Sequence, residues 1–599
     1  MRGARNGYQV NRRVDLVQAA VAVAIISAVS LWQFGNWLPR VFFGDDLAVY
    51  VAWQKDAFVS TFSQMIFEQG WEKYRPIFQA ALGLLFRRFD NHYLAYVVAS
   101  FIVHIVCAVA VLALAHRLAG RVGLALCAAI AFATLRFSYF NFTLLGPIES
   151  LSLLFFLCSL WQSLNLFDPS KPVRPVADAL LLVAFAGLAM FTHERYLALT
   201  PWLVLVIIWS PWIEWQKIVL SLIACAPAAA NLLYKHFILN VRVAVGTAGQ
   251  GLTFNLHDAA SHLAQAGLSI IGINAGPVYL VGHPITSLRD PALWAAVVFI
   301  VTGAIVAFLG IRAARQTSQY RLRWAILAVL AAGALITPVL LTIRVEQRWL
   351  TASAAIMLLL LCWAVGATNA ARRSLAYGIA CLSLLAFVVN NSVISHDFSG
   401  MYLLSASEAA GAMEDSLGRV PSDGPIDILS DNSVCGWVLR NGDFFKIYSD
   451  QKRIVKCYAS RAAWSSDPAK GQSLLVYDPK AKSFVVAEAV STPRMDRKDV
   501  AALDTKIVAF GPNPVVHAQP FNQQPNGESA IWVKLDRPAA QDSVLVLAGE
   551  QLATVVSGDL LTAAVPTNLF SSSGSLQLWV ETVRHGREER SKPVTFEVQ

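Results

Sequence analysis

The stretch VDLVQAAVAVAIISAVSLWQFGNWLPRVFFGDDL, residues 14–47, sets the reading of the whole chain. Its opening part, 14–34, is almost wholly apolar. A bilayer core needs roughly 20 such residues in a helix. An aromatic connection follows, and then two adjacent carboxylates, Asp45 and Asp46. The pattern predicts a membrane span whose far end carries acid chemistry. The rest of the sequence repeats the first half of that pattern. Comparable apolar runs lie at about 93–115, 121–140, 148–166, 177–194, 196–212, 216–236, 291–311, 324–343, 349–367 and 374–394, making eleven in all. The first run is long for a signal peptide, and no small-x-small cleavage site follows it.

Composition agrees. The 599 residues are 56% hydrophobic and 15% charged, against about 25% charged in soluble domains, and mean hydropathy is +0.51. An ordinary cytosolic enzyme, a disordered chain and a collagen-like repeat are excluded. The net charge of +9 sits in short loops between apolar runs, so it marks topology rather than nucleic-acid binding. Arg2, Arg5, Arg12 and Arg13 precede the first run. With alternating spans, Arg117 and Arg121, Lys171 and Arg174, Lys217, the Arg312–Arg323 group, and Arg372 with Arg373 fall on the same side. The positive-inside rule makes that side cytoplasmic. An odd number of spans then puts the C-terminal region outside. Two outer loops, about 35–92 and 237–290, are long. The first is expected to hold short interfacial helices.

Charges are few at the outer span ends, so each is informative. Asp45 and Asp46 repel one another among apolar neighbours, which suits a general base or a divalent-cation site; helix capping is the plain alternative. Arg75, in Tyr74-Arg75-Pro76-Ile77, suits an anion at a helix start, or an interfacial side chain reaching headgroups. Glu149 follows Gly146-Pro147-Ile148, and there a helix N-terminal acid is the plainer reading. His193-Glu194-Arg195-Tyr196 places three ionisable residues in succession at membrane depth, where they are costly. Arg344 and Arg348 lie four apart and would share a helical face suited to phosphate, unless Glu346 pairs with them internally. Together these groups suit transfer from a lipid-borne phosphate to a hydroxyl: cations hold the leaving phosphate and a carboxylate takes the acceptor's proton. Sequence physics does not choose between Asp45 and Asp46, which point about 100° apart on an ideal helix.

The order of these motifs resembles the GT-C superfamily of polyprenyl-phosphate-sugar-dependent membrane glycosyltransferases, and within it the protein O-mannosyltransferase-like branch. The resemblance covers roughly residues 14–215. It rests on the acidic pair after the first span, Tyr74-Arg75-Pro76-Ile77, His104 with Ser100 in place of an Asn, Glu149, and His193-Glu194 in place of Lys-Glu. Gln347-Arg348-Trp349-Leu350 resembles a later motif of related transferases. The resemblance implies an inverting glycosyltransferase with Asp45 as general base. Asp46 would assist, by acceptor orientation or by helping Asp45 hold a divalent cation, and Glu149 would be a second acidic site residue. Arg75, His193, Arg344 and Arg348 become candidates for the donor phosphate, and Glu194, Arg195 and His104 for supporting or acceptor roles. The partners are a polyprenyl-phosphate sugar donor, a glycan, lipid or protein acceptor, and membrane lipids; no cofactor beyond the candidate divalent cation is required. The setting is a bacterial inner membrane making cell-envelope glycan. A flippase for lipid-linked glycans and a non-catalytic membrane scaffold are the competing classes. A transport path is expected to carry charges near the midplane, and here they gather at the outer ends.

Six of the eight cysteines lie in predicted spans; Cys435 and Cys457 lie outside them. An oxidising compartment favours a disulfide between the two. His257, Asp258, His262 and His283 are scattered along the second outer loop without helical metal-pair spacing. The expected fold is a mostly α, GT-C-like polytopic membrane domain with about 11 transmembrane helices over residues 1–395. A small exocytoplasmic α/β or mostly β domain follows at 397–505, then a β-sandwich at 508–599. Residues 402–416 read as a helix. Strands are expected at 426–429, 436–439, 473–477 and 483–486, and in the sandwich at about 530–535, 543–548, 552–556, 560–565, 576–582 and 593–598. The final stretch, from Asn522 to Val598, resembles immunoglobulin-like TIG modules.

Overall fold

The computed structural model describes Ala4 to Gln599 apart from 36–37, 55–62, 65–72, 144–147, 169–173, 212–214, 243–251, 275–284, 397–401, 420–425, 431–432, 450–453, 459–460, 468–472, 479–480, 489–500, 503–504, 523–528, 541–542, 571–572, 585–586 and the single positions 253, 286, 318, 343, 518, 520, 553 and 566. Two compact units form. The first joins Met1–Asp415 to the later segment Val438–Tyr448, and the second takes Ser416–Trp437 and Ser449–Gln599.

The first unit is a multi-pass helical domain. Among the described residues, nine helices are long and apolar enough to cross a bilayer: Val17–Phe34, Tyr93–Ala119, Ile148–Phe167, Pro175–Thr192, Lys217–Ile238, Pro291–Gln316, Gln319–Leu341, Gln347–Ala367 and Ala370–Ser395. A tenth crossing is broken, with Val122–Ala133 and Arg136–Phe142 meeting at 51°. These account for ten of the expected eleven. The run at 196–212 becomes a 3₁₀ segment, Glu194–Leu199, feeding a ten-residue helix, Thr200–Trp209, with Pro201 in its first turn. Pro201 lacks an N–H and crowds the preceding carbonyls, so the α-helix starts there and does not extend back through the charged turn.

Burial ranks the spans. The Gln347–Ala367 helix is 89% buried and carries five Ala with Ser353 and Gly366, whereas Pro291–Gln316 is 22% buried and presents its apolar side chains outward. Small residues let backbones approach closely. A methyl on Gly366 would collide with the carbonyl of Leu118. At the bend of the broken span, fully buried Arg136 donates to Asn390 Oδ1 (3.0 Å) and to the Ser269 carbonyl (2.6 Å), and its backbone N–H donates to Asn391 Oδ1. It ties the broken span to the last span and to the helix Leu256–Ile270 of the second long loop. The first long loop, 35–92, holds the helices Asp45–Gln54 and Pro76–Phe89.

The second unit is β-rich. β1 (Ile426–Leu429), β2 (Val455–Tyr458), β3 (Ser473–Asp478) and β4 (Ser483–Glu488) form one sheet in the order β2-β1-β3-β4. The β1/β2 pair is parallel, so the chain between them must cross over, usually as helix. That explains the one misread strand. Residues 436–439 are part of a π-turn, Ser433–Val438, in a crossover that continues into the helix Asp443–Tyr448. Short apolar runs do not distinguish the two forms. Cys435 and Cys457 are disulfide-bonded, closing the crossover at its base. Beyond residue 500 lie two further sheets, of four and six strands. Ile531, Val533, Leu545, Leu547, Leu561, Leu578 and Phe596 form a core they share.

Candidate active site

The helix Asp45–Gln54 opens with both acids in its first turn, where the helix dipole favours negative charge. Gly44 turns the chain into it at φ 56°, a left-handed conformation that glycine adopts without steric cost. The helical rotation separates the two carboxylates. Asp46 is 3% exposed, and the Tyr93 hydroxyl donates to its Oδ2 (2.9 Å). The Asp45 side chain is 74% exposed, with Arg440 Nη1 standing 3.8 Å from its Oδ1. Beneath them Phe42 packs on Tyr50, Tyr93 and Tyr96, with ring centroids 4.7 Å, 4.6 Å and 5.5 Å away. The first turn therefore sits on a rigid aromatic bed.

A second group of charges is built from four separate elements. Glu149, in the first turn of Ile148–Phe167, is 4% exposed. Arg195 donates to its Oε2, while His193 Nε2 lies 3.3 Å and Arg348 Nε 3.9 Å from its Oε1. The His193 Nδ1 accepts the Arg195 backbone N–H (3.2 Å), so its proton sits on Nε2, facing Glu149. Burial outweighs the pull of Glu149 and lowers the imidazole pKa to about 4. His193 is therefore neutral at physiological pH and serves as a donor to Glu149. Arg344 and Arg348 do not share a free helical face. The α-helix begins only at Thr351, and both guanidiniums turn onto Glu346, at 3.1 and 2.7 Å. Burial raises the Glu346 carboxyl, but the charges of Arg348 and Arg344 outweigh it and leave the pKa lowered. Arg348 also lies over the Phe140 ring, 5.5 Å from its centroid, within cation–π reach.

Arg75 grips Glu194 through two hydrogen bonds, of 2.6 and 3.1 Å. Burial pushes the Glu194 carboxyl up, yet Arg75 overrides it and brings the pKa down to about 2. Beside Arg75, Tyr74 stacks on Tyr234 at 4.9 Å. Lys73 links the two groups. Its ammonium is crowded by neighbouring chain, then repelled by Arg75 and Arg348 and attracted by Glu194 and Asp45, with a net lowering of its pKa.

Of the residues singled out in the sequence, Glu149, His193, Arg195, Arg344 and Arg348 come together through ion pairs, Arg75 pairs with Glu194 beside them, and Asp45 and Asp46 stand at their own helix start with Arg440 and Tyr93. His104 lies elsewhere, buried among Phe34, Phe132 and Phe142 with Nε2 3.2 Å from the Ala133 carbonyl. His257 and Asp258 ride on the outer-loop helix, and His262 Nδ1 faces the Val339 carbonyl at 3.3 Å. His283, Gly146 and Pro147 fall outside the described residues. Three contributors were not foreseen: Lys73, Tyr93 and Arg440. Lys73 adjoins the Tyr-Arg-Pro motif and was within reach of a closer reading. Tyr93 looked like any span-end aromatic, and Arg440 lies beyond the last span, far along the chain from Asp45. Among the described residues no three His, Cys, Asp or Glu side chains group to hold a metal ion. A divalent cation would have Asp45 as its open protein ligand, completed by substrate oxygens.

No family model matches the sequence, and no curated protein sequence matches it. Among solved structures the chain is similar to ArnT from Cupriavidus metallidurans bound to undecaprenyl phosphate, with TM-score 0.43, 12% identity, 77% of this chain and 93% of that chain covered. It is also similar to the Archaeoglobus fulgidus oligosaccharyltransferase in complex with Zn and sulfate, with TM-score 0.38, 12% identity, 72% of this chain and 62% of that one covered. The apo form of the same ArnT gives TM-score 0.35 at 13% identity, covering 85% and 97%.

Proposed function

We propose that the chain is a GT-C-type inverting glycosyltransferase of a bacterial inner membrane. It moves a sugar from a polyprenyl phosphate to an acceptor hydroxyl on the periplasmic face, with the N-terminus cytoplasmic. The observation that carries this reading is an exposed carboxylate, Asp45, opening a helix after the first span, together with the arginines Arg75, Arg195 and Arg348 held in place by buried or half-buried carboxylates at later span ends. Asp45 accepts the acceptor's proton as the acceptor oxygen bonds to the anomeric carbon. The bond from that carbon to the phosphate oxygen breaks, and polyprenyl phosphate leaves with its charge held by Lys73 and the arginines. Glu149 and Glu346 orient Arg195, Arg344 and Arg348 for that task, and Glu194 orients Arg75. Asp46, locked by Tyr93, fixes the helix that presents Asp45. The C-terminal sheets, with their resemblance to immunoglobulin-like modules, serve as a spacer or glycan-binding part.

The test is turnover by the purified full-length protein with a panel of short-chain polyprenyl-phosphate sugars, scored as release of polyprenyl phosphate. Asp45→Asn should lower turnover by about 10²–10⁴-fold, while Asp46→Asn should retain most of it. Equal activity of both variants, or folded protein that binds no donor, would overturn the reading.

A further inference from the structure

The crossover Val438–Tyr448 belongs to the compact unit of the spans, although the chain on either side of it belongs to the other. Its attachment is specific. The Val438 carbonyl accepts the Gly44 N–H (2.9 Å), and the Tyr448 hydroxyl accepts the Phe42 N–H (2.8 Å). Both contacts fall on the short segment leading into Asp45. Leu439, Phe444 and Phe445 are fully buried, and Phe444 packs on Tyr448 at 4.8 Å. Arg440, between these anchors, takes a left-handed backbone at φ 47°, uncommon and costly for a residue with a side chain. That conformation brings its guanidinium 3.8 Å from Asp45 Oδ1 and 3.7 Å from Asp443 Oδ2. Asp443 holds Lys446 through its other oxygen at 2.7 Å, so the Arg440 guanidinium stands between two carboxylates, with Nε toward Asp443 and Nη1 toward Asp45.

We infer that this crossover is a wall of the active site and that Arg440 is the positioning residue for Asp45. The inference rests on the reading of Asp45 as the general base. A carboxylate as exposed as Asp45 would sample several rotamers; a fixed guanidinium narrows them. The separation of 3.8 Å is beyond hydrogen-bonding distance, so the Asp45 oxygens stay open to an acceptor hydroxyl. The site is therefore assembled from both ends of the sequence, and the disulfide Cys435–Cys457 clamps the base of the contributing loop.

The experiment uses the full-length protein in lipid nanodiscs. Hydrogen exchange of the peptide covering residues 40–47 reports whether the crossover is seated. Turnover is measured with whichever short-chain polyprenyl-phosphate sugar of the panel is consumed, and Asp45→Asn is run in parallel so that failure of the base assignment shows separately. Arg440→Gln should lower kcat by about 10- to 100-fold, the scale of a misplaced catalytic group, with donor KM unchanged and residues 40–47 still protected. Arg440→Lys should recover most of the rate. Tyr448→Phe should speed exchange at residues 40–47 and slow turnover. The inference is overturned if Arg440→Gln turns over like wild type, if Arg440→Lys is no better than Gln, or if Arg440→Gln loses protection as Tyr448→Phe does. Rapid exchange of residues 40–47 in the wild type would overturn it even without a working donor.

Discussion

Asp45 and Glu149 begin from the same local chemistry. Each is a carboxylate in the first turn of a helix, where the dipole welcomes negative charge. They end in opposite states: Asp45 is 74% exposed with one cation at 3.8 Å, and Glu149 is 4% exposed with Arg195, His193 and Arg348 around it. A buried carboxylate with its charge matched is part of the frame, because moving a proton onto it would strand the cations it holds. An open carboxylate can exchange a proton with a substrate. The number of partners, more than the residue type, separates the open carboxylate from the paired one.

The most severe way to break the contrast is to remove the scaffold charge. Glu149→Gln leaves Arg195 and Arg348 without their shared anion and should cost about 3–5 kcal/mol of stability, seen as a lower melting temperature in detergent. Asp45→Asn should melt within about 0.5 kcal/mol of wild type. A stable, active Glu149→Gln protein would erase the distinction.

Acid titration probes the frame next. His193 titrates near 4 in the folded protein, against an ordinary value of 6.5. Between those values the unfolded chain binds the extra proton, so stability falls as pH falls. The full loss is on the order of 3 kcal/mol. Glu194, near 2 when folded against 4.5 ordinarily, adds a further loss below that upper value, since its stabilisation is complete only above it. His193→Gln keeps an amide N–H toward Glu149 and has no proton to gain. Its melting temperature should therefore change less than wild type's as pH falls from neutral to about 4, and an identical profile would remove His193 from the frame.

The smallest effect refines the roles within the acidic pair. Tyr93→Phe removes the hydroxyl that donates to Asp46 Oδ2, at a cost of about 1–2 kcal/mol. Turnover should stay within about twofold of wild type, because Asp45 is untouched and only a transition-state contact would change kcat. A large kinetic loss would give Asp46 a share in the chemistry.

Much of the fold was legible because a membrane span announces itself by length and apolarity. Even so, 196–212 passed that test and proved to be a charged 3₁₀ turn and a short helix. Counting apolar residues is blind to Pro201 and to the partners of Glu194 and Arg195. The strand pattern from 529 onward was readable because period-2 alternation and turn residues speak locally. The site was half legible. Single charges at span ends stood out against apolar surroundings, but their pairing did not. Nothing in the sequence says that Arg75 finds Glu194, that Arg344 and Arg348 both turn to Glu346, or that Asp46 faces inward while Asp45 faces out. Those facts depend on helix rotation and on contacts between distant parts of the chain, of which Arg440 is the extreme case.

Arg136 carries a consequence for how the protein is made. Its two terminal guanidinium nitrogens donate to Asn390 and to the Ser269 carbonyl, which follow it in the chain by 254 and 133 residues. When the ribosome finishes the broken span, neither partner has been synthesised. An unaccompanied guanidinium is costly within the bilayer. The bent segment therefore has no intramolecular reason to settle at its final depth during its own translation. Its folded hydrogen bonds are complete only once the last span has arrived.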